Sequence, residues 1–489
     1  MPCRAHLTAL VARSFPRVAF GGLILGCALH TPAERLDAPV SLPSAFRGDG
    51  AVAGAVALSW WTSFADPTLD RLVSAALSGN LDVHAAWARV DQATALAGIA
   101  GAAGVPTVGL DVGTSLSTPL VFESGATSPT LQHQALGTIG WEIDFFGKAQ
   151  AQRRASALDR DAAEDDATAA AEVLAGGVAT VWFQWVEQRS LERLLDEQLL
   201  IARRVLRVVE VRFASGSASA AEVLQQRQQL AALEVQRPAF EARRRLFEHQ
   251  LALLIGRPAS TPLDLPDVAT LPALPAPAAT GVPMSLLTRR ADVRAAHRRA
   301  LAADARIAVA VADKLPTFKL SLSTGLSARD IAQIFEQWLV QLAGSMNLPI
   351  ADGGRRDAEE DRTRAVLTER LFLFGRAVLI ALREVEDALV QEVAQTRQLA
   401  LLDAQLDVGR AALAELQRRY AGGVGDFLPL LTAQQSLTQA ESARLAAERQ
   451  RLTARVALHQ ALGGAVTERP PALSVQASPS GAATSEELP

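Results

Sequence analysis

Residues 367–388 read LTERLFLFGRAVLIALREVEDA, and within them Leu367, Leu371, Phe374, Val378, Ala381, Val385 and Ala388 recur at alternating steps of four and three. Steps of four and three keep one helix face turned toward a partner, so this stretch is the seam of a coiled coil. The seam runs on through Leu399, Leu402, Leu406, Gly409, Leu413, Leu416 and Tyr420. An earlier stretch repeats it with Leu174, Val178, Val181 and Trp185, then Leu195, Leu199, Ala202, Leu206 and Val209. From Lys148 to Phe213 such a helix would extend roughly 100 Å at 1.5 Å per residue. Aromatic residues are 5% of the chain, with one Tyr, which fits long helices packed closely through small side chains.

Gly216 and the pair Gly422-Gly423 can take the left-handed conformation that stops a helix, and Ser219-Ala220-Ala221-Glu222 is a capping box that starts the next. Each long helix is therefore expected to turn sharply into a shorter returning one. The two halves also match each other. Leu81-Asp82-Val83-His84-Ala85-Ala86 aligns with Ala291-Asp292-Val293-Arg294-Ala295-Ala296, and Pro106 with Pro316, at a spacing of 210. Phe146-Gly147-Lys148 aligns with Gly353-Gly354-Arg355, and Arg212 to Gly216 with Arg419 to Gly423, at a spacing of 207. A whole unit of helix, two strands, very long helix and returning helix is duplicated.

The strands of that unit alternate as a membrane barrel does. In Val108-Gly109-Leu110-Asp111-Val112-Gly113 and Ile139-Gly140-Trp141-Glu142-Ile143-Asp144-Phe145, apolar residues hold one face and Gly and acids the other. Phe318-Lys319-Leu320-Ser321-Leu322-Ser323 and the run from Trp338 to Leu348 repeat the dyad. Each is about ten residues, enough to cross a bilayer when tilted. Four strands do not close a barrel, since the smallest have about eight and an open edge in lipid leaves backbone groups unsatisfied. Other copies of the chain must complete it.

Arg4, Arg13 and Arg17 precede a short apolar run from Val18 to Leu25, the layout of a secretory signal. The run ends in Ile24-Leu25-Gly26-Cys27, which resembles the lipobox of bacterial lipoproteins, with cleavage before Cys27 and a lipid on its thiol. Cys3 leaves with the signal, so the mature chain holds no internal disulfide. Ala28 after the lipidated Cys is compatible with an outer-membrane destination. Residues 257–283 are Pro-rich and read as a connector, and the segment 464–489 reads as a disordered tail.

A net charge of −4 offers no basic field for nucleic acid, and no run of 18 apolar residues marks a spanning helix. No cofactor is implied and the reading is of a non-enzyme: the seven His are scattered without metal spacing, and no phosphate-cradling Gly loop or nucleophile elbow is present. Glu164-Asp165-Asp166 and Glu359-Glu360-Asp361, near the starts of long helices, read as solvated acids complementing the helix dipole.

Together these residues resemble the TolC-like outer-membrane efflux proteins, and among them the NodT-type lipoproteins of resistance-nodulation-division pumps. The resemblance rests on Trp60-Trp61-Thr62-Ser63-Phe64-Ala65-Asp66-Pro67-Thr68-Leu69, on Trp141 to Gly147, and on Tyr420-Ala421-Gly422-Gly423, and spans almost the whole mature chain. It implies a homotrimer with one twelve-stranded barrel in the outer membrane, continuous with an α-helical tunnel through the periplasm. Implied partners are a periplasmic adaptor, meeting hairpin tips at Phe213, Gly216, Tyr420 and Gly423, and an inner-membrane pump. Asp426 matches an acid at the periplasmic aperture, with Arg419 on the other side of the turn; Asp426 is equally suited to N-cap the returning helix. A duct for type I secretion and a periplasmic coiled-coil adaptor stay open as alternatives. The expected layout is signal peptide 1–26, lipidated segment and first helix 27–105, strand pair 106–147, helical hairpin 148–256, connector 257–283, helix 284–315, strand pair 316–350, hairpin 351–463 and tail 464–489.

Overall fold

A computed structural model describes residues 30–47, 59–118, 120–121, 125–126, 129–276, 280–336, 338–464 and 469–471. The signal peptide, Cys27 and nearly all of the expected tail lie outside the described residues. In chain order the elements are α1 (Pro67–Gly79), α2 (Leu81–Ala102), β1 (Thr107–Ser117), β2 (Leu120–Val121), β3 (Gly125–Ala126), β4 (Thr130–Ile143), α3 (Lys148–Ala214), α4 (Ala220–Glu234) and α5 (Gln236–Leu254). There follow α6 (Leu286–Arg289), α7 (Ala291–Ala312), β5 (Thr317–Ala328), β6 (Trp338–Asn347), α8 (Arg355–Ala421) and α9 (Phe427–Leu462).

The duplication is visible in the element lengths. Helices α2 and α7 have 22 residues each, and α3 and α8 have 67 each, beginning 210 and 207 residues apart. At 1.5 Å per residue the long helices reach about 100 Å. Their seams are buried or half-buried throughout, from Leu174 to Val209 and from Leu367 to Tyr420. One 18-residue stretch of α3 is on average apolar enough to cross a membrane, though not an unbroken apolar run, and 67% of it is buried, as befits a helix in a protein core.

Gly147 and Gly354 precede α3 and α8 in the left-handed conformation, with φ of 74° and 85°. Near them Asp144 accepts from the Gln150 N–H at 2.9 Å and Asp352 from the Gly354 N–H at 3.2 Å, placing anions at helix N-termini. At the far ends Gly216 and Gly423 have φ of 74° and 79°, whereas Gly422 remains right-handed and only ends the helix. The Ser219–Glu222 capping box is complete in both directions. One expectation fails: the first returning helix is two helices, broken at Val235. Pro238 has no N–H and its ring would meet the carbonyl of Glu234, while the equivalent position in the second repeat is Leu445 and α9 runs unbroken.

The returning helices end beneath the short ones. Asn80 donates from Nδ2 to the Leu254 carbonyl at 2.9 Å, and Gly256, at φ 75°, lies so close that a Cβ there would sit 2.0 Å from the Gly79 carbonyl oxygen. Likewise Arg290, just before α7, donates from Nη1 to the Ala461 carbonyl at 3.1 Å. Around the molecule α2 packs on α3, α3 on α7 and α7 on α8. The four-stranded sheet has the order β1-β4-β5-β6, so each strand sits in the order of the helix it joins. A two-residue ribbon of β2 and β3, which the alternation gives no hint of, caps the first strand pair.

Candidate duct wall and aperture

Every pairing in the main sheet is antiparallel, and the register sets apolar side chains in continuous rows. Val108 lies opposite Ile139, Ile139 opposite Leu322 and Leu322 opposite Leu342; Ile143, Phe318 and Met346 form a second row. The other face carries Thr138, Glu142, Lys319, Ser321, Ser323 and Gln341, with Glu142 and Lys319 paired across strands at 3.6 Å. Strands of 10 to 14 residues rise about 33–46 Å at 3.3 Å per residue, which matches the roughly ten residues that a tilted strand needs to cross a membrane's apolar band. The apolar face is exposed, Val108 by 79%, and the outer edges of β1 and β6 have no strand partner among the described residues. An exposed apolar face with two open edges suits lipid and neighbouring copies, not water.

Below the sheet a belt of aromatics grips the helices. Trp60, Trp61 and Phe64 are buried, Asp66 caps α1 at the Thr68 and Leu69 N–H groups, and Pro67 occupies its first turn. The same Asp66 accepts from Trp182 Nε1 at 2.7 Å, and Trp185 Nε1 donates to Glu248 at 3.0 Å. The Trp60-to-Leu69 motif thus clamps α1 against α3. Trp60 also stacks on His459 of α9, with ring centroids 5.5 Å apart. Burial, aided by Arg455, pushes the His459 imidazole down to about 4. The described part of the connector is fastened to the long helices: Ser190 Oγ donates to the Ala269 carbonyl at 2.8 Å and Arg455 Nη1 to the Pro275 carbonyl at 2.7 Å.

The acids read as solvated are only partly so. Asp165 is buried between Arg294 at 2.7 Å and Arg298 at 2.8 Å, joining α3 to α7, and Asp166 pairs with Arg299. Glu360 bridges to Lys314 of α7's C-terminal turn at 2.7 Å, while Glu359 pairs with Arg362 on the surface. Asp165 and Glu360 turn toward a neighbouring element rather than water, which the local sequence does not reveal.

At the far end the two hairpin turns meet. Phe213, Gly216 and Gly423 are exposed, but Tyr420 is buried, 3% accessible, and serves the packing of the tip. The Arg212 guanidinium lies 4.3 Å from its ring centroid and donates to its carbonyl, its hydroxyl donates to Glu222 at 2.7 Å, and its ring rests 5.7 Å from Phe427. Burial, with the bond to Glu222, raises the phenol to about 12. Arg212 and Glu222 escaped functional notice in the sequence because each already had a local role, in the repeat match and the capping box. Asp426 takes the N-cap position of α9, yet its side chain makes no cap hydrogen bond. Asp426 and Arg419 are both exposed and form no ion pair among the described residues.

The sequence profile of the family described as outer membrane efflux protein matches residues 72–257 and 282–464. The pyoverdine export outer membrane protein OpmQ of Pseudomonas aeruginosa is 34% identical over 90% of this chain and 95% of its own. Nodulation protein T of Rhizobium leguminosarum bv. trifolii is 28% identical over 88% of this chain and 93% of its own. Among solved structures, the outer-membrane channel OprN superposes with a TM-score of 0.83 at 27% identity, over 88% of this chain and 98% of that one.

Proposed function

This chain belongs to the outer membrane efflux protein family, and from that premise we infer how it works. It is an exit duct in the cell outer membrane, extending into the periplasm. The observation that carries the arrangement is the four-stranded sheet with one continuous apolar face and two open edges, standing on helices about 100 Å long. Three copies close a twelve-stranded barrel, and their helices form the tunnel beneath it. The duct is one part of a multicomponent pump, with a periplasmic adaptor at the exposed tip residues Phe213, Gly216 and Gly423 and an inner-membrane transporter of the resistance-nodulation-division class. Relatives are named for export of pyoverdine, toluene and solvents, which favours small molecules over polypeptides as cargo.

Cys27 carries the lipid that anchors the mature N-terminus. Each acyl methylene contributes about 0.8 kcal/mol when buried, so several chains hold the segment firmly. Mass spectrometry of the native N-terminal peptide is expected to show acylated Cys27 as residue one of the mature chain, and Cys27→Ser to abolish it. A mature chain starting elsewhere, without lipid, removes the anchor from the account.

At the aperture, threefold symmetry turns Asp426 into a ring of carboxylates in a narrow pore, where they repel one another and attract cations. Because the Asp426 side chain makes no cap hydrogen bond, Asp426→Asn is expected to leave trimer stability nearly unchanged. In planar bilayers the wild type should conduct with a preference for cations, and the variant should lose roughly half or more of that preference. A wild type that does not conduct refutes the duct; unchanged selectivity in the variant refutes only the role of Asp426.

A further inference from the structure

We infer that the helical part of the subunit boundary is an apolar seam between α8 of one copy and α2 of the next, built on the same plan as the charged seam between α3 and α7 within each copy. The inference rests on the duct reading, which supplies the neighbouring copy. The sheet order leaves β1 and β6 as edges, so closure pairs β6 with the next copy's β1. Helix α8 follows β6 and α2 precedes β1, which brings those two helices side by side at each boundary. Inside a copy the same step, from the long helix of one repeat to the short helix of the other, is the packing of α3 on α7.

The repeat spacings then map each internal contact onto the boundary. Within the copy, Asp159 pairs with Arg306, Asp165 with Arg294 and Arg298, and Asp166 with Arg299. Adding 207 to the α3 positions gives Val366, Phe372 and Leu373; subtracting 210 from the α7 positions gives Leu96, His84, Ala88 and Arg89. Charged positions on one seam have become mostly apolar on the other. Most of these apolar residues are uncovered in a single copy: Phe372 is 66% exposed, Leu96 61% and the adjoining Ile99 69%, with Val366 beside them half-buried. Large side chains this exposed, clustered on both helices that symmetry brings together, are accounted for by burial against each other. The difference between seams also enforces order around the ring, because α3 docked against α2 of another copy would bury Asp165 and Asp159 without a cation.

The equivalence gives a direct test, since the internal pair Asp159–Arg306 corresponds to Val366 and Leu96 of the neighbour. Val366→Asp alone and Leu96→Arg alone should each lower the trimer fraction in detergent by roughly tenfold or more, read by native mass spectrometry, because each buries an unpaired charge. The double variant, which installs the internal pair at the boundary, should recover to within about threefold of the wild type. In addition, Leu96→Cys with Val366→Cys should give disulfide-linked chains on oxidation, while each single Cys variant should not; the only other cysteines are Cys3 and Cys27. A trimeric wild type in which the singles are harmless, or the double is no better than the singles, overturns the seam and leaves the duct intact. A wild type that is monomeric overturns the duct reading and the seam with it.

Discussion

Arg455→Met should destabilise the protein by about 3–5 kcal/mol, the range for leaving one member of a buried ion pair without its partner. Arg455 is 1% accessible on α9, and its guanidinium ties that helix to two other segments. It grips Glu392 of α8 with two nitrogens, one at 2.8 Å, and donates to the carbonyls of Pro275 and Ala276 in the connector. Met fills a similar volume but leaves the Glu392 carboxylate and both carbonyls unsatisfied. The connector should therefore loosen as stability falls, showing new protease cleavage within residues 257–276 together with a lower denaturation midpoint. Pairing the change with Glu392→Leu should recover most of the loss, because the carboxylate then no longer needs its partner. An unchanged midpoint with an intact connector would mean that Arg455 is held by packing alone.

What could be read from the chain in advance followed from periodicity and turn chemistry, which are local. The coiled-coil seams, the dyad strands and the Ser219 cap each need fewer than a dozen neighbouring residues to recognise, and the duplicated spacing confirms them twice over. Pro238 was equally local, and the break in the first returning helix follows from it by the ordinary cost of proline within a helix. Asp426 shows how far local chemistry reaches: the sequence places it correctly at an N-cap, but whether its carboxylate turns back to the helix is decided by the turn's conformation.

The polar interior was hidden because its partners are remote in sequence. Asp165 meets Arg294 across 129 residues, and Tyr420 meets Glu222 across 198, so neither can be told from a solvated charge or a seam residue by its neighbours. The aromatic motif from Trp60 to Leu69 identified the family before its physical purpose was visible. That purpose is the Asp66 carboxylate shared between the α1 cap and Trp182, a contact 116 residues away. Helix α9 conceals Arg455 and His459 in the same manner, since Arg455 meets Glu392 across 63 residues and His459 stacks on the remote Trp60.

Glu172→Gln should remove a loss of stability that grows from about pH 4.5 to about pH 8, with its largest effect at the alkaline end. Glu172 sits on α3 beside a cavity of about 540 Å³ lined also by Arg290, Asp292, Glu384 and Gln460. Its side chain is buried, and Oε1 has no hydrogen-bond partner. Burial raises the carboxyl from its ordinary 4.5 to about 8, Arg294 and Arg290 opposing the shift and Asp292 adding to it. Between those values the folded protein keeps a proton that the unfolded chain releases, so stability falls as pH rises across the window. At about 1.4 kcal/mol per unit, the full loss is on the order of 3–5 kcal/mol for each copy by pH 8. Glutamine preserves the shape and cannot ionise, so the variant should match the wild type near pH 4.5 and exceed it at pH 8 in thermal midpoint. The opposite slope belongs to His459, whose imidazole is held down at about 4 against an ordinary 6.5. There the unfolded chain takes up a proton first, so stability falls as pH drops from 6.5 toward 4, and this loss should persist in the variant. Thermal midpoints of both proteins from pH 4 to 8 decide the matter, and parallel curves above pH 6.5 would show that Glu172 is already ionised in the folded wall.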